Sequence, residues 1–295
     1  MSGPESIPPA RKGKKAAGER HKIVVNSLSD WSNLRRKEGH DTSAMKRPGR
    51  LVFRLFSAAI RDWRLIDDGD RILVGVSGGK DSLLLAWLLA DVKARAPVHY
   101  DLSAVTIDLG LGQDFSEVET FLSSLGIPYH VEETRIAEIV RSYPTRKTAC
   151  SLCANLRRGA LYAYASKTGF NKVALGHHLD DAIETLFLNM FYQGNLRCFH
   201  PRTYLSRTGV TIIRPLVYIE ESDVQTAAKR LELPVVPAEC PVAGKTRRQT
   251  MKELTATISS IFPGVRGNLR RVLKRIWSSQ AEGGAQDALE TSEDL

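Results

Sequence analysis

Residues 71–90 decide the fold, and they read Arg-Ile-Leu-Val-Gly-Val-Ser-Gly-Gly-Lys-Asp-Ser-Leu-Leu-Leu-Ala-Trp-Leu-Leu-Ala. A short apolar run comes first, which is typical of a buried parallel strand, and a Leu- and Ala-rich run follows, which favours a helix. Gly78 and Gly79 lie at the turn between them, where glycine lets the backbone approach an anion closely. Main-chain N–H groups at the helix start and the charge of Lys80 add to that attraction. The stretch therefore predicts a strand, a phosphate-binding loop over residues 77–82 and a helix.

Strands and helices alternate through the central part of the chain. Apolar runs predict further strands, and helical periodicity predicts amphipathic helices. The predicted strands are 71–76, 98–107, 127–131, 172–176 and 211–213, and the predicted helices are 51–67, 83–96, 115–125, 154–168, 181–192, 245–259 and 264–277. Such alternation implies right-handed crossovers and a parallel sheet covered on both faces. We therefore expect an α/β fold, a parallel five-stranded sheet with helices on both faces, a basic N-terminal extension and a helical C-terminal appendage.

Charge is distributed unevenly along the chain. The net charge is +9, and residues 1–50 carry +7, residues 245–275 carry +8 and residues 281–295 carry −5, so the central part is nearly neutral. A neutral body with basic flanks is typical of an enzyme that acts on nucleic acid. We divide the chain into four parts. Residues 1–50 are a flexible basic extension, 51–240 a catalytic domain, 241–280 a basic helical region and 281–295 an acidic disordered tail. A merely solvated tail is the alternative for residues 1–40.

Several classes of protein are excluded at this level. No apolar run approaches the roughly 18 residues of a membrane span, because Arg54, Arg61 and Arg64 interrupt the first apolar helix. The basic residues near the N-terminus precede no apolar core of a secretory signal, so we expect a cytoplasmic protein without membrane contact. In a reducing compartment, cysteines at 150, 153, 198 and 240 are expected to be ligands or catalysts and not disulfide partners.

The phosphate loop does not follow the Walker A pattern, since Val74 stands where that pattern requires glycine and Asp81 follows the lysine. It resembles instead the loop of the N-type ATP pyrophosphatases, or PP-loop enzymes, which cleave ATP between the α and β phosphates. The resemblance implies that residues 51–240 are a PP-loop ATPase domain. It also implies that adenine lies at the strand end formed by Ile107 and Asp108, and that the phosphates contact Ser77, Gly78, Gly79, Lys80, Asp81 and Ser82.

A second motif, Leu-Gly-His-His-Leu-Asp-Asp at residues 175–181, follows the fourth predicted strand. Gly176 is expected in the nucleotide site. Asp180 and Asp181 supply hard oxygen ligands that suit Mg²⁺ beside the phosphates. Two other interpretations are open, one in which Asp180 caps the next helix and one in which the two histidines are packed polar residues.

The cysteines carry a further resemblance. Cys150 and Cys153 are spaced so that both thiols lie on one face of a helix start, and Cys-x-x-Cys alone is compatible with zinc, a redox dithiol or an iron–sulfur cluster. Four parts of the sequence closely resemble the tRNA 2-thiocytidine synthetase family. They are the segment Cys-Ser-Leu-Cys-Ala-Asn-Leu-Arg-Arg-Gly-Ala-Leu-Tyr from residue 150, the second motif with its following helix, Ile-Arg-Pro-Leu at 213–216, and Cys240. That resemblance spans about residues 51–260.

The resemblance implies a chemistry. In that family three cysteines hold a 4Fe-4S cluster, so Cys150, Cys153 and Cys240 are its expected ligands, and the cytidine at position 32 of the tRNA anticodon loop is thiolated. One iron then lacks a protein ligand and is free to hold sulfide. ATP with Mg²⁺ would adenylate the C2 oxygen of the base, with Lys80 and Asp181 as catalytic residues. A cysteine desulfurase or another sulfur donor would supply sulfur, and a homodimer is compatible with the family.

Basic residues on two predicted helices are candidates for contact with tRNA phosphates. They are Arg157, Arg158, Lys245, Arg247, Arg248, Arg270 and Arg271, with Lys274 and Arg275 in the same C-terminal region. For Arg157 and Arg158, a role in neutralising the cluster or the phosphates, or simple solvation, stays open.

Four alternatives are weighed against this interpretation. The segment from Cys240 also resembles the 2-thiouridine synthetases, although the extra Cys-x-x-Cys motifs of those relatives are absent here. A structural zinc site would take a fourth ligand, for example Cys198, which we otherwise interpret as a thiol outside the cluster. Another PP-loop ligase is a third alternative. A lysine-adding enzyme would need no cysteine triad, and an amidating enzyme would need an ammonia source, for which no glutaminase segment is visible in the 295 residues. A non-enzymatic iron–sulfur protein that binds RNA would need no nucleotide.

Overall fold

The computed structural model describes residues 47–142, 149–236 and 247–282, with only the backbone of the last two. Within these ranges the chain forms nine helices and six strands. The strands are β1 (Asp70–Gly75), β2 (Tyr100–Asp108), β3 (Tyr129–Glu133), β4 (Lys172–Ala174), β5 (Arg202–Leu205) and β6 (Val210–Ile213). The helices are α1 (Arg50–Trp63), α2 (Lys80–Lys93), α3 (Ser116–Ser124), α4 (Ile136–Ser142), α5 (Ala149–Lys167), α6 (Leu179–Gln193), α7 (Glu221–Leu231), α8 (Arg247–Ile261) and α9 (Val265–Glu282). The predicted extension up to residue 46 and the acidic tail from residue 283 lie outside the described residues.

The strands form one sheet in the order β3-β2-β1-β4-β6-β5. All neighbouring pairs are parallel except β5 and β6, which pair antiparallel with Arg202 opposite Ile213. The α/β class is thus confirmed. The expected number of five parallel strands is wrong, because a sixth, antiparallel strand covers the edge of β6. Its four residues include no apolar run, and only Thr203 and Leu205 are buried, so periodicity alone does not reveal it.

Side chains of β1 point alternately to two hydrophobic clusters. Ile72 and Val74 pack in the larger cluster, while Leu73 packs in a smaller one with Leu161 and Tyr162 of α5. This two-sided burial explains the continuous apolar run, as expected of a parallel strand between helical layers. None of the helices in the described ranges could cross a bilayer.

The C-terminal helices pack on the larger cluster. Met251 of α8 and Leu273 and Trp277 of α9 are buried there. The indole Nε1 of Trp277 donates to the carbonyl oxygen of Phe199 at 2.8 Å. The region predicted as a helical appendage therefore shares the core of the α/β sheet, which anchors the helices that carry its basic residues.

A buried lysine lies at the amino end of β4. The Nζ of Lys172 is 2.9 Å from the carbonyl oxygen of Leu65, 2.8 Å from Asp67 Oδ2 and 2.6 Å from Asp70 Oδ2. Both Lys172 and Asp70 are at most 4% exposed, so the ion pair is removed from water. The ion pair joins the start of β4 to the segment before β1. It therefore lies at the amino ends of these strands, opposite their carboxyl ends.

We predict that Lys172→Ala lowers the free energy of unfolding by about 3–5 kcal/mol, because Asp70 would remain buried without its cation. Equilibrium urea denaturation measures this loss. The control is Lys167→Ala, at an exposed position near the end of α5, which should change stability by less than about 0.5 kcal/mol. A loss below about 1 kcal/mol for Lys172→Ala would mean that the buried pair relaxes without cost.

Candidate active site

The phosphate loop follows β1 and is held by its own hydroxyl groups. The Ser77 N–H donates to Ser82 Oγ at 3.1 Å, and Ser82 Oγ donates to the Gly79 carbonyl oxygen at 2.9 Å. The Gly79 N–H lies 3.3 Å from Ser77 Oγ. Gly78 adopts φ +78°, a left-handed conformation that favours glycine. These contacts make a short, tight loop that leads directly into α2, as the sequence predicts.

Gly176 packs against this loop from the end of β4. A Cβ at Gly176 would lie 3.0 Å from the main-chain carbon of Asp81 and 3.0 Å from the nitrogen of Ser82. Both are backbone atoms at the start of α2, so neither moves without displacing the loop. The glycine is therefore required by close packing between the two motifs, and the sequence prediction that they share one site is supported by this contact.

We predict that Gly176→Ala displaces the loop and weakens the binding of ATP about tenfold or more, since the main-chain N–H groups at the helix start would no longer meet the phosphates. Equilibrium binding of a non-hydrolysable ATP analogue measures the effect. Gly159→Ala is the matched control, because a Cβ there meets nothing within 4 Å and alanine favours the helix. An affinity of Gly176→Ala equal to that of Gly159→Ala would contradict the packing requirement.

A cavity of about 270 Å³ opens beside the loop. Charged and polar side chains from four helices and the loop before α6 line it, namely Lys80, Asp81, His178, Asp181, Glu184, Glu221, Arg248, Gln249 and Lys252. Lys80 Nζ lies 3.1 Å from Asp81 Oδ1 and 3.4 Å from Glu221 Oε1. The cavity thus offers cations that could bind phosphate oxygens, and these cations are paired with carboxylates.

The two aspartates of the second motif lie in different surroundings. Asp181 lines the cavity, and its Oδ2 accepts a hydrogen bond from the His178 N–H at 2.8 Å. Asp180 is buried; its Oδ2 accepts from the Glu221 N–H at 2.7 Å and its Oδ1 accepts from Arg266. The interpretation of Asp180 as the helix cap is wrong, since His178 is the N-cap of α6 and forms a capping box with Asp181.

Helix α8 brings two cations to the cavity. Arg248 donates to Asp181 Oδ1 and to Glu184 Oε2, each at 2.9 Å, and Lys252 Nζ lies 2.8 Å from Glu221 Oε2. The structure therefore places Arg248, an expected RNA contact, beside the phosphate loop. Glu184, Glu221 and Lys252 were not predicted. Glu184 lies three residues after Asp181, and Lys252 lies four residues after Arg248. This helical spacing is the signal that would have suggested Glu184 and Lys252.

The ion pairs shift the acidities of the cavity carboxylates. Burial raises the pKa of Asp181, but the charges of His178 and Arg248 outweigh it, and the pKa lies below its ordinary value. Burial likewise opposes ionisation of Glu221, yet its hydrogen bond and charge pairing with Lys252 lower the pKa. For Glu184 burial dominates over Arg248, and the pKa is raised. Asp181 and Glu221 are therefore firmly anionic at neutral pH.

The strand end expected at adenine lies next to the phosphate loop. The Val76 N–H donates to the Val105 carbonyl oxygen at 2.8 Å, which joins the ends of β1 and β2. Ile107 is buried. Asp108 Oδ1 accepts from the Gly110 N–H at 3.0 Å, and its carbonyl oxygen accepts from the Thr134 N–H at 3.1 Å. The side chain of Asp108 thus shapes the turn after β2.

The first turn of α5 carries the predicted pair of thiols. Cys150 is exposed and Cys153 is partly buried. Arg157 lies one turn further along α5; burial lowers the pKa of its guanidinium, and the charge of Cys153 opposes that shift. Arg158 is held by a hydrogen bond of 2.6 Å to Asn155 Oδ1. Cys240 lies outside the described residues, as does Lys245.

Cys198 does not share these surroundings. It is buried in the larger cluster, where its Sγ donates to the Ala182 carbonyl oxygen at 3.3 Å, whereas Cys153 packs against the smaller cluster. The two cysteines thus belong to different cores. This supports the interpretation of Cys198 as a thiol outside the proposed cluster. Within the described ranges, no group of three or more His, Cys, Asp or Glu side chains is arranged to hold a metal ion.

The remaining basic candidates lie on α8 and α9. The guanidinium of Arg247 lies 4.7 Å from the ring centre of Tyr192. Arg270 is partly exposed and Arg271 is exposed, the latter paired with Asn268. Arg248 differs from these three because its guanidinium pairs with carboxylates of the cavity.

Comparison with known proteins decides the family. The PP-loop domain family matches residues 54–252. The tRNA-cytidine(32) 2-sulfurtransferase of Geobacter sulfurreducens is 44% identical over 222 residues, which cover 74% of this chain and 86% of that protein. The corresponding protein of Pelobacter propionicus is 42% identical over 254 residues, 85% of this chain and 93% of that protein. The chain belongs to the tRNA-cytidine(32) 2-sulfurtransferase family of PP-loop proteins.

A solved structure also resembles this sulfurtransferase family member. The U34-tRNA thiolase NcsA from Methanococcus maripaludis with its 4Fe-4S cluster superimposes with a TM-score of 0.62 and 25% identity, covering 76% of this chain and 78% of that chain. The predicted family, its PP-loop fold and its class as a tRNA sulfurtransferase are confirmed. The absence of the extra Cys-x-x-Cys motifs of the 2-thiouridine synthetases favours the cytidine branch, and the identities above agree with that branch.

Proposed function

We propose that this chain is an ATP-dependent tRNA thiolase that acts on a cytidine, at position 32 of the anticodon loop. The observation that carries the proposal is the charged cavity beside the phosphate loop, in a chain that also presents Cys150 and Cys153 on one helix. Two family findings support it, namely the named cytidine(32) sulfurtransferases and the thiolase structure with its cluster. An anticodon-loop base is unpaired, so its presentation to a pocket costs little.

The first step is adenylation. The C2 oxygen of the cytosine attacks the α phosphorus of ATP, the bond to the β phosphate breaks, and pyrophosphate leaves. Lys80 and the main-chain N–H groups of the loop stabilise the negative charge that develops on the phosphate oxygens. Arg248 and Lys252 lie in the same cavity and are available to the departing pyrophosphate. In the second step sulfide attacks C2, and AMP leaves with the former carbonyl oxygen.

We also propose that ATP, when it binds, replaces the carboxylate partners of the cations in the cavity. Without nucleotide, Glu221 pairs with both Lys80 and Lys252, and Asp181 pairs with Arg248. Phosphate oxygens compete for these cations, which frees the carboxylates. The cavity thus holds its cations in place before ATP arrives, and it avoids three uncompensated positive charges in a confined space.

The residues present fit magnesium with the help of ATP. Asp181 lines the cavity, and Asp81 Oδ1 lies in the same cavity beside Lys80 Nζ, so hard oxygen ligands are at hand. Because Mg²⁺ is typically bound through one or two carboxylates together with substrate phosphates, these two would suffice. Asp180, which pairs with Arg266, is the weaker candidate of the predicted pair.

The thiols of α5 fit an iron–sulfur cluster in their chemistry. Cys150 and Cys153 lie on the first turn of α5, with the Arg157 guanidinium close enough to offset thiolate charge. We propose Cys240 as the third ligand. The three thiolates would hold a 4Fe-4S cluster, which would supply sulfur for transfer to the activated carbon. A cysteine desulfurase or another donor would furnish that sulfur.

The test is nucleoside mass analysis of unmodified tRNA after incubation with the anaerobically reconstituted protein, ATP, Mg²⁺ and inorganic sulfide. We expect 2-thiocytidine that depends on ATP, and its loss from a tRNA with uridine at position 32. Formation of 2-thiouridine instead would establish the alternative branch. Absence of any thionucleoside, with the cluster present and ATP intact, would overturn the proposal.

A further inference from the structure

A second cavity, of about 540 Å³, lies between the end of α1 and the β5–β6 hairpin. None of its side chains takes part in the chemistry above. Aromatic and charged groups line it together, namely Trp63, His200 and Tyr204 with Asp62, Arg64 and Arg202. A pocket of this volume is in the range of small-molecule sites, roughly 300–1,000 Å³.

Arg64 occupies an unusual backbone position at this cavity. It is the C-cap of α1 and adopts φ +46°, in the left-handed region where glycine is favoured. Its side chain is exposed, and in the part of the chain that the structure describes its guanidinium has no hydrogen bond or ion pair. An arginine whose guanidinium has no partner among the described residues leaves a cation available to an anionic ligand.

A second guanidinium is fixed beside it. Arg202 donates to the Arg64 carbonyl oxygen at 2.8 Å, and its other terminal nitrogen lies 3.5 Å from Asp67 Oδ2. The acid on the cavity wall, Asp62, is already paired with Lys274 Nζ at 2.8 Å. The charge that remains at the mouth of the cavity is therefore positive.

The aromatic wall is rigid. The indole Nε1 of Trp63 donates to the Tyr218 hydroxyl at 2.7 Å, and its ring meets His200 edge to face at 5.0 Å between centres. Tyr204 projects outward from the edge strand β5 and is 47% exposed. Such rings offer flat surfaces for a planar ligand, as base-stacking sites on RNA-binding proteins do.

Buried Arg214 connects this cavity to the active-site loop. Its guanidinium donates to the His200 carbonyl oxygen at 2.8 Å, and its Nε donates to His177 Nδ1 at 3.3 Å. His177 belongs to the loop that leads to Asp181. Helix α9 contacts the cavity wall through the ion pair of Lys274 with Asp62, and it also carries Arg270 and Arg271. Arg202 also contacts Asp67, which pairs with Lys172 at the amino end of β4, so only an extended RNA would reach both this cavity and the phosphate loop.

We propose that this cavity binds one unstacked nucleotide of the tRNA, other than the cytidine that reacts. The base would lie against Trp63 and Tyr204, and its phosphate would contact Arg64 and Arg202. The assignment rests on the proposed function for the identity of the RNA. It adds a subsite for substrate recognition that is separate from the ATP cavity.

The test compares the affinity of the full-length, cluster-reconstituted chain for unmodified tRNA, without ATP and at fixed salt, by fluorescence anisotropy. Arg64→Gly should weaken binding about tenfold, while Arg64→Lys should retain most of it. Because glycine suits the backbone at this C-cap, thermal stability should be unchanged or raised. Tyr204→Leu, at an exposed position, should weaken binding by a similar factor. Lys93→Gln, which removes one exposed charge at the end of α2, should stay within about twofold.

The outcomes separate this proposal from the function on which it rests. If both Arg64→Gly and Tyr204→Leu bind tRNA like the wild type, or if only affinity for free ATP or CMP falls, the tRNA subsite is wrong. If tRNA binding falls in both variants but the wild type forms no thionucleoside, the subsite stands and the thiolase activity is wrong. If both the subsite and the thiolase activity are correct, the variants should raise KM for tRNA and leave kcat within about twofold. The reason is that the subsite binds the ground state and the transition state equally well.

Discussion

Lys80→Ala is expected to lower the rate of thiolation about 100- to 1,000-fold, the loss typical of removing one preorganised group that stabilises developing charge. Its Nζ lies between Asp81 and Glu221 in the cavity beside the loop, so it is already placed where ATP phosphates would enter. Both pyrophosphate release and 2-thiocytidine formation should fall together, because adenylation precedes sulfur transfer. A quenched time course with radiolabelled ATP measures the first, and nucleoside mass analysis measures the second.

The matched control is Lys93→Gln, which alters a lysine at the other, exposed end of the same helix α2. It should leave both rates within about twofold, since a single surface charge contributes little. A loss below about tenfold for Lys80→Ala would show that the lysine is not aimed at the transferred phosphate.

Cys153→Ser is expected to remove most of the bound iron and to stop thiolation, while the affinity for ATP remains close to that of the wild type. A hydroxyl is a poor substitute for a soft thiolate ligand, and Cys153 lies on α5, apart from the residues that line the ATP cavity. Iron, sulfide and zinc analysis after anaerobic reconstitution measures the first effect, and equilibrium binding of a nucleotide analogue measures the last.

Cys198→Ala provides the control for this experiment, because Cys198 is buried in the larger cluster, apart from the thiols of α5. Its iron content should equal that of the wild type. Two results would contradict the cluster assignment: a wild-type protein that holds zinc and no iron, or a Cys153→Ser variant that retains both iron and thiolation.

Local signals in the sequence are sufficient for much of the site. The loop at residues 77–82 and the pair of thiols at a helix start both depend on neighbouring residues, and the structure places these elements as predicted. Strand β1 likewise has an apolar run because both of its faces are buried. These features follow from spacing and burial within a few residues of each motif.

Features that depend on distant residues were not predictable. Glu221 meets Lys80 across 141 positions of sequence, and nothing at the start of α7 marks it as a cavity residue. The same holds for Arg248, whose place beside Asp181 depends on how α8 packs across α6. Strand β5 was missed because four residues at a sheet edge carry too little apolar pattern, although pairing with β6 forms it.

The most direct measurement follows the oxygen that sulfur replaces. An anticodon stem-loop RNA with ¹⁸O at the C2 position of cytidine 32 is incubated with the reconstituted protein, ATP and sulfide, and the nucleotide products are analysed by mass. Adenylation at C2 predicts AMP that carries one ¹⁸O for each 2-thiocytidine formed. Unlabelled AMP, or ADP and phosphate as the products, would contradict adenylation of the base by the PP-loop cavity.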